Sequence, residues 1–306
     1  MNREEQIGMI NVHKEAGIRV NTPVFNAFSK KLVGWVHPQD ALVNLGETKD
    51  FEHNQWLSDE PWKEDELGVN SNNFRCDEFT KNHTGEHILF SGCSVTYGVG
   101  LYTKELWSYK LYEKIKAEKL VSGYFNLGTP GTSTMDICAN IIKYISLYGK
   151  PDTIFLDLPD LQRFYWIPKE DYIINAMNNL KPEIIDNKLT EWIRHGTHAG
   201  RPTPEVEVNK IHTYNYLLWL EQFCLEAGIK LYIFSYVMET IRFLKTTDLT
   251  RIMDFDNDKI VDELFEYSQN NKTDKFFLVA RDARHHGTAF HEVWANKLFE
   301  SYKEGK

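Results

Sequence analysis

The chain has 306 residues, 42% of them hydrophobic and 13% aromatic, which is enough apolar material for a sizeable core and excludes a long disordered protein. A formal net charge of -9 argues against a nucleic-acid partner, because that mode of recognition needs clustered Lys and Arg to displace counterions. The first twenty residues, MNREEQIGMINVHKEAGIRV, carry acids at once and lack the apolar centre of a signal peptide. No later stretch approaches the roughly 20 apolar residues of a membrane span, so a soluble cytoplasmic protein is expected. Cys76, Cys93, Cys138 and Cys224 are widely spaced with no CxxC pair, which predicts reduced, buried thiols rather than disulfides or a thiolate zinc site.

Residues 1–84 show no strand and helix alternation. They carry Phe25, Phe28, Trp35, Phe51, Trp56, Trp62 and Phe74 among Asn, Asp, Gly and Pro, and are expected to form an aromatic-anchored extension packed on the core. From about residue 85 short apolar runs alternate with helical periods. HILFSG (87–92) predicts a buried strand, and a helix follows over 104–120 with Leu106, Tyr109, Leu111, Tyr112 and Ile115 on one face. GYFNLG (123–128) is the second strand, and Ser133 or Thr134 is placed to cap the next helix. DTIFLDLP (152–159) is the third strand. Residues 160–207, with four prolines, predict an insertion of short helices at the sheet edge. A helix over 210–228 ends at Gly228, and KLYIFSYV (230–237) is the fourth strand. KFFLVA (275–280) is the fifth, before a last helix from about 288 to 302. This order predicts an α/β fold, a doubly wound parallel sheet of five strands between two helical layers.

Ligands of such a sheet bind at the carboxyl ends of its strands. Three loops there carry chemistry: FSGCSVTYGVG (90–100), NLGTPGTS (126–133) and ARDARHHGTAFHEVWA (280–295). The first is not a P-loop, because Val99 stands where Lys should follow Gly98. Nor is it the GxSxG elbow of α/β-hydrolases, since Thr96 stands where the second Gly should be. A serine nucleophile needs a base and an acid to orient that base, and these can come from different loops at one end of a sheet. Ser94 on the first loop and Asp282 with His285 on the last meet that placement.

Those three segments, in that order over residues 85–306, resemble the SGNH (GDSL-type) hydrolase family. Gly92-Cys93-Ser94 resembles its first block, NLGTPGTS its second and DARHHGTAFHEVWA its last. The resemblance implies a three-layer α/β/α sandwich and a Ser94, His285, Asp282 triad. It implies an oxyanion site built from the N–H groups of Ser94 and Gly131, with no metal or organic cofactor. The family's third block supplies an Asn after strand three, where this chain has Pro159 and Asp160. Pro lacks an N–H and an ionised Asp would repel an oxyanion, so Asn126 or Arg163 is left to fill the place. The implied activity is that of a serine ester hydrolase, an acyl esterase or carbohydrate O-deacetylase acting on a small-molecule or carbohydrate ester. An O-acyltransferase would use the same residues, and a non-catalytic binding or structural protein could keep the fold without the chemistry.

Other polar features are expected to be structural. His286 and His291 sit at a helix start, and HGTH (195–198) has no carboxylate or thiolate at ligand spacing. FDNDKIVDE (255–263) lacks the glycine and ligand spacing of a calcium loop.

Overall fold

A computed structural model describes residues 68–130, 132–161, 204–253 and 285–305, with short strands at 19–20, 164–166 and 174–176 and isolated positions between 260 and 280. Its centre is a parallel sheet of β2 (Ile88–Ser91), β3 (Phe125–Asn126), β4 (Thr153–Asp157) and β7 (Lys230–Phe234), in the order β3-β2-β4-β7. All residues of β2 and β4 are buried, as befits parallel strands covered on both faces. One register row runs Phe90, Phe155, Tyr232 across three strands. Their rings stack at 5.6 and 4.8 Å, so a single face of the sheet is sealed by an aromatic ladder.

Helices cover both faces. On the ladder side lie α2 (Trp107–Glu118) and α6 (Thr288–Glu304), which pack on each other. Trp107 meets Phe90 and Phe234 edge-on, and Trp294 lies against Phe234. Buried Trp107, Leu111, Tyr112 and Ile115 give α2 the stripe of an amphipathic helix. The opposite face carries α3 (Thr134–Tyr148) and α4 (Pro204–Ala227). Ser133 caps α3 as a capping box: Asp136 Oδ2 accepts from Ser133 N at 2.8 Å, and Ser133 Oγ accepts from Asp136 N at 3.4 Å.

Four parallel strands are described where the sequence predicts five. KFFLVA falls largely outside the described residues. Beside β7 an isolated parallel bridge joins Ile233 to Ile252, in a stretch whose sequence announces no strand. Glu221 holds that stretch in place, its buried carboxylate accepting from the backbone N–H groups of Thr250 and Arg251. Within the 160–207 insertion, where short helices are expected, the described residues include two strands, β5 (Phe164–Trp166) pairing antiparallel with β6 (Ile174–Ala176), which pairs with β1 (Arg19–Val20), and the first turn of α4 at its end; most of the rest of the insertion lies outside the described residues. Of the N-terminal extension, residues 68–84 pack on the core through Phe74 and Phe79. Among the described residues no helix is long and apolar enough to cross a membrane, and no group of three or more His, Cys, Asp or Glu side chains is placed to hold a metal. HGTH lies outside the described residues.

Candidate functional site

Strand order decides where a ligand can bind. The chain leaves β2 for β3 on one side and then crosses to β4 on the other, so connections diverge above the carboxyl ends of β2 and β4. Open α/β sheets bind their ligands at such a divergence, outside the carboxyl ends of the strands. Ser94 stands there, as the first residue of the short helix α1 (Ser94–Tyr97), three residues past the end of β2. As a first-turn residue its N–H has no acceptor within its own helix.

The Ser94 loop is fixed by its neighbours at backbone distance. A Cβ on Gly92 would come within 2.9 Å of the Asp157 carbonyl oxygen, and one on Gly128 within 2.4 Å of Tyr97 N. These two glycines let the loops after β2, β3 and β4 touch. Hydrogen bonds then tie them together: Thr96 Oγ1 donates to Asp157 Oδ2 at 2.8 Å, and Thr129 N donates to the Gly92 carbonyl at 3.0 Å. α1 ends at Gly98, whose φ of 84° is left-handed. Below it Arg75 is 1% exposed. Its guanidinium donates to the carbonyls of Tyr97, Gly98 and Leu101 at 3.2, 2.6 and 2.7 Å. The sequence singled out neither this arginine nor its task, because backbone carbonyl acceptors leave no mark in the sequence.

Asn126 is brought to Ser94's loop but not as an anion donor. Its amide donates to the Thr96 carbonyl at 2.8 Å and to Tyr124 Oη at 2.9 Å, and its Oδ1 accepts from Gly128 N at 2.7 Å. Both amide hydrogens hold backbone and core, so the oxyanion role suggested by its place in the chain is corrected to a structural one. Gly131, Arg163 and Asp282 lie outside the described residues.

His285 is half-buried at the foot of α6. Its carbonyl accepts from Ala280 N at 2.9 Å, and Gly287 N donates to the Leu278 carbonyl at 3.0 Å. Residues 278 and 287 are thereby drawn together on either side of His285. The next residue makes the link to Ser94. His286 stacks on Phe290 at 3.9 Å and meets the edge of Tyr236 at 5.3 Å. Tyr236, two residues past β7, brings its hydroxyl within 3.4 Å of Cys93 Sγ, and Ser94 Oγ lies 3.9 Å from the same sulfur. Tyr236 was not among the residues the motifs pointed to. Burial, then the neighbouring His285, pushes the His286 imidazole down to about 4, so it is neutral near pH 7. His291 is buried, and its Nδ1 accepts from Trp107 N at 2.8 Å at the start of α2. That bond needs the neutral ring, and burial holds its pKa well below the ordinary value. His291 is therefore a helix cap, in line with the structural role expected of it.

The loop after β4 is held by hydroxyls from the turn after β7. Ser235 Oγ donates to the Leu158 carbonyl at 2.8 Å and Thr240 Oγ1 to that of Pro159 at 3.1 Å. An open groove of about 450 Å³ lies elsewhere, along α4 and the helix α5 (Met238–Leu244), with Lys210, Ile211, Tyr214, Phe243 and Asp248 in its lining. It contains no residue of the Ser94, Asn126 or His285 loops, and of its lining hydroxyls Tyr214 donates to Asp248 Oδ1 at 2.7 Å on an exposed surface. The carboxyl ends of β2 and β4 are the stronger candidate because strand order and side-chain chemistry coincide there. A scan of the chain against protein-family models finds no match, and a search of curated proteins finds none either.

Proposed function

We propose that the protein is a serine ester hydrolase with the SGNH-type three-layer arrangement. The observation that carries this reading is the position of Ser94: it opens a helix directly after an interior parallel strand, at the point where the connections of the sheet diverge. In this reading Ser94 Oγ attacks an acyl carbonyl, His285 takes the proton and returns it to the leaving alcohol, and Asp282 orients the imidazole. The N–H groups of Ser94 and Gly131 stabilise the tetrahedral oxyanion. An acyl or carbohydrate ester is the substrate class, and water or a sugar hydroxyl is the acceptor.

A binding protein without turnover is the second reading. It is favoured by the closure of the site, since Ser94 is only 3% exposed. A fluorophosphonate probe separates the two. Ser94 is expected to be labelled, with labelling lost in Ser94→Ala and the modified peptide mapping to residues 90–100. A folded protein that takes no probe would establish the binding reading instead.

A further inference from the structure

We propose that the Tyr236 hydroxyl is an oxyanion donor of this site, in the place where the loop after β4 presents Pro159 and Asp160. The inference rests on the serine hydrolase reading and deepens it. Three observations converge on this residue.

The first is position. Tyr236 Oη and Ser94 Oγ both lie within 4 Å of one atom, Cys93 Sγ, so the two oxygens can be no farther apart than those two contacts together allow, and the phenol is the side chain from the turn after β7 that reaches the Ser94 loop. The second is chemistry. A thiol or thioether sulfur is a weak hydrogen-bond partner, whereas an O–H donated to an anionic oxygen makes a short and strong bond. Exchanging sulfur for the oxyanion therefore gains most when the charge has formed, which is the condition for lowering a barrier rather than tightening substrate binding. The third is preorganisation. The ring of Tyr236 is fixed edge-on against His286, which is itself stacked on Phe290 of α6. The residue before it, Ser235, is bonded to the Leu158 carbonyl and accepts from Val237 N at 3.0 Å. The hydroxyl is carried on a turn that has little freedom to move.

The step balances as follows. Ser94 Oγ forms a bond to the acyl carbon as its proton passes to the His285 imidazole, and the carbonyl π pair moves to oxygen. That oxygen accepts hydrogen bonds from the backbone N–H of Ser94 and from Tyr236 O–H, which keeps its proton throughout. Collapse re-forms the carbonyl, breaks the bond to the leaving alkoxide and hands the alkoxide the proton held by His285. Water then repeats the sequence on the acyl-enzyme and releases the acid.

The test compares Tyr236→Phe with the parent protein, since Phe keeps the ring packing and removes only the donor. With an aryl ester found to be turned over, Tyr236→Phe is expected to lower kcat by about 100-fold to 1000-fold with KM nearly unchanged. Fluorophosphonate labelling of Ser94 should slow in parallel, and affinity for an arylboronic acid, which forms an anionic tetrahedral adduct with Ser94, should weaken. Unchanged kcat and labelling in a Tyr236→Phe protein, while the parent labels at Ser94, would overturn the donor and leave the serine reading standing. A Tyr236→Phe protein that melts earlier and loses KM and kcat together would assign Tyr236 to packing and overturn it as well. A parent protein that takes no probe at Ser94 would remove the serine reading and this inference with it.

Discussion

The two ends of the parallel sheet are built by different means. At the amino end, side chains reach across the gaps between elements. Glu86 accepts from Lys119 at the end of α2, Tyr302 near the end of α6 and Thr153 of β4. Burial raises its pKa, but these bonds outweigh that and bring the carboxyl below its usual range. His83 and His87 stack beside it at 3.5 Å, with His87 Nε2 on Tyr144 Oη and both Nδ1 atoms buried without a partner. At the carboxyl end, backbone approaches backbone, and the side chains between the loops are short ones, Thr96, Asn126 and the buried Asp157 carboxylate, with one buried guanidinium. Backbone approach is not confined to the carboxyl end, since a Cβ on Gly85 would come within 2.5 Å of the Leu120 carbonyl oxygen; the difference is that the amino end adds long charged side chains, whereas Gly92 and Gly128 leave the Ser94 loop little room to shift.

Breaking the guanidinium should show this most strongly. In Arg75→Met three buried carbonyls, those of Tyr97, Gly98 and Leu101, lose a donor. A buried acceptor left unsatisfied costs about 1–3 kcal/mol, and we expect a loss of about 4 kcal/mol in urea unfolding. Probe labelling at Ser94 should fall in the fraction that stays folded. A loss under about 1 kcal/mol would mean that water serves those carbonyls equally well.

Gly128→Ala tests the close approach itself. Its Cβ would stand 2.4 Å from Tyr97 N and 2.6 Å from Thr96 C, both backbone atoms that cannot rotate away. Overpacking of this kind costs about 1–3 kcal/mol. The sharper expectation is a disproportionate fall in labelling of Ser94, because the strand loops must separate to make room. Labelling at the parent rate would show that the loops after β2 and β3 hold Ser94 less closely than their spacing implies.

The sequence carried the α/β class and the candidate site unequally. Short apolar runs announced β2, β4 and β7, and Ser133 ahead of a helical apolar period announced the cap of α3. The Ile252 edge was not legible, because one bridge held by Glu221 needs no strand-like run. Ser94 could be placed by its loop alone. Asn126 was misjudged because proximity in the chain says nothing of which atoms an amide already serves. Arg75 and Tyr236 were missed for a common reason: each touches the Ser94 loop from an element outside the motifs, and only packing discloses that.

The smallest expected effect separates the ends by proton uptake. Burial, then the adjacent His83, pushes the His87 imidazole down to about 4, against about 6.5 in an unfolded chain. Its contribution to stability is therefore whole above pH 6.5 and is lost as the pH falls from 6.5 towards 4, where the unfolded chain takes a proton that the fold refuses. His286 and His291 at the carboxyl end act in the same direction. Each histidine adds about 1.4 kcal/mol per pH unit to the slope of stability in that window. His87→Phe should reduce the slope measured by urea unfolding between pH 6.5 and 4 by about one such unit, whatever it does to stability at pH 7. Asp152, whose carboxylate accepts from His87 N at 2.9 Å, faces the same ring and would favour its charged form. An unchanged slope in His87→Phe would show that this carboxylate prevails over burial, and that the amino end accommodates charge at its histidines as readily as it does at Glu86.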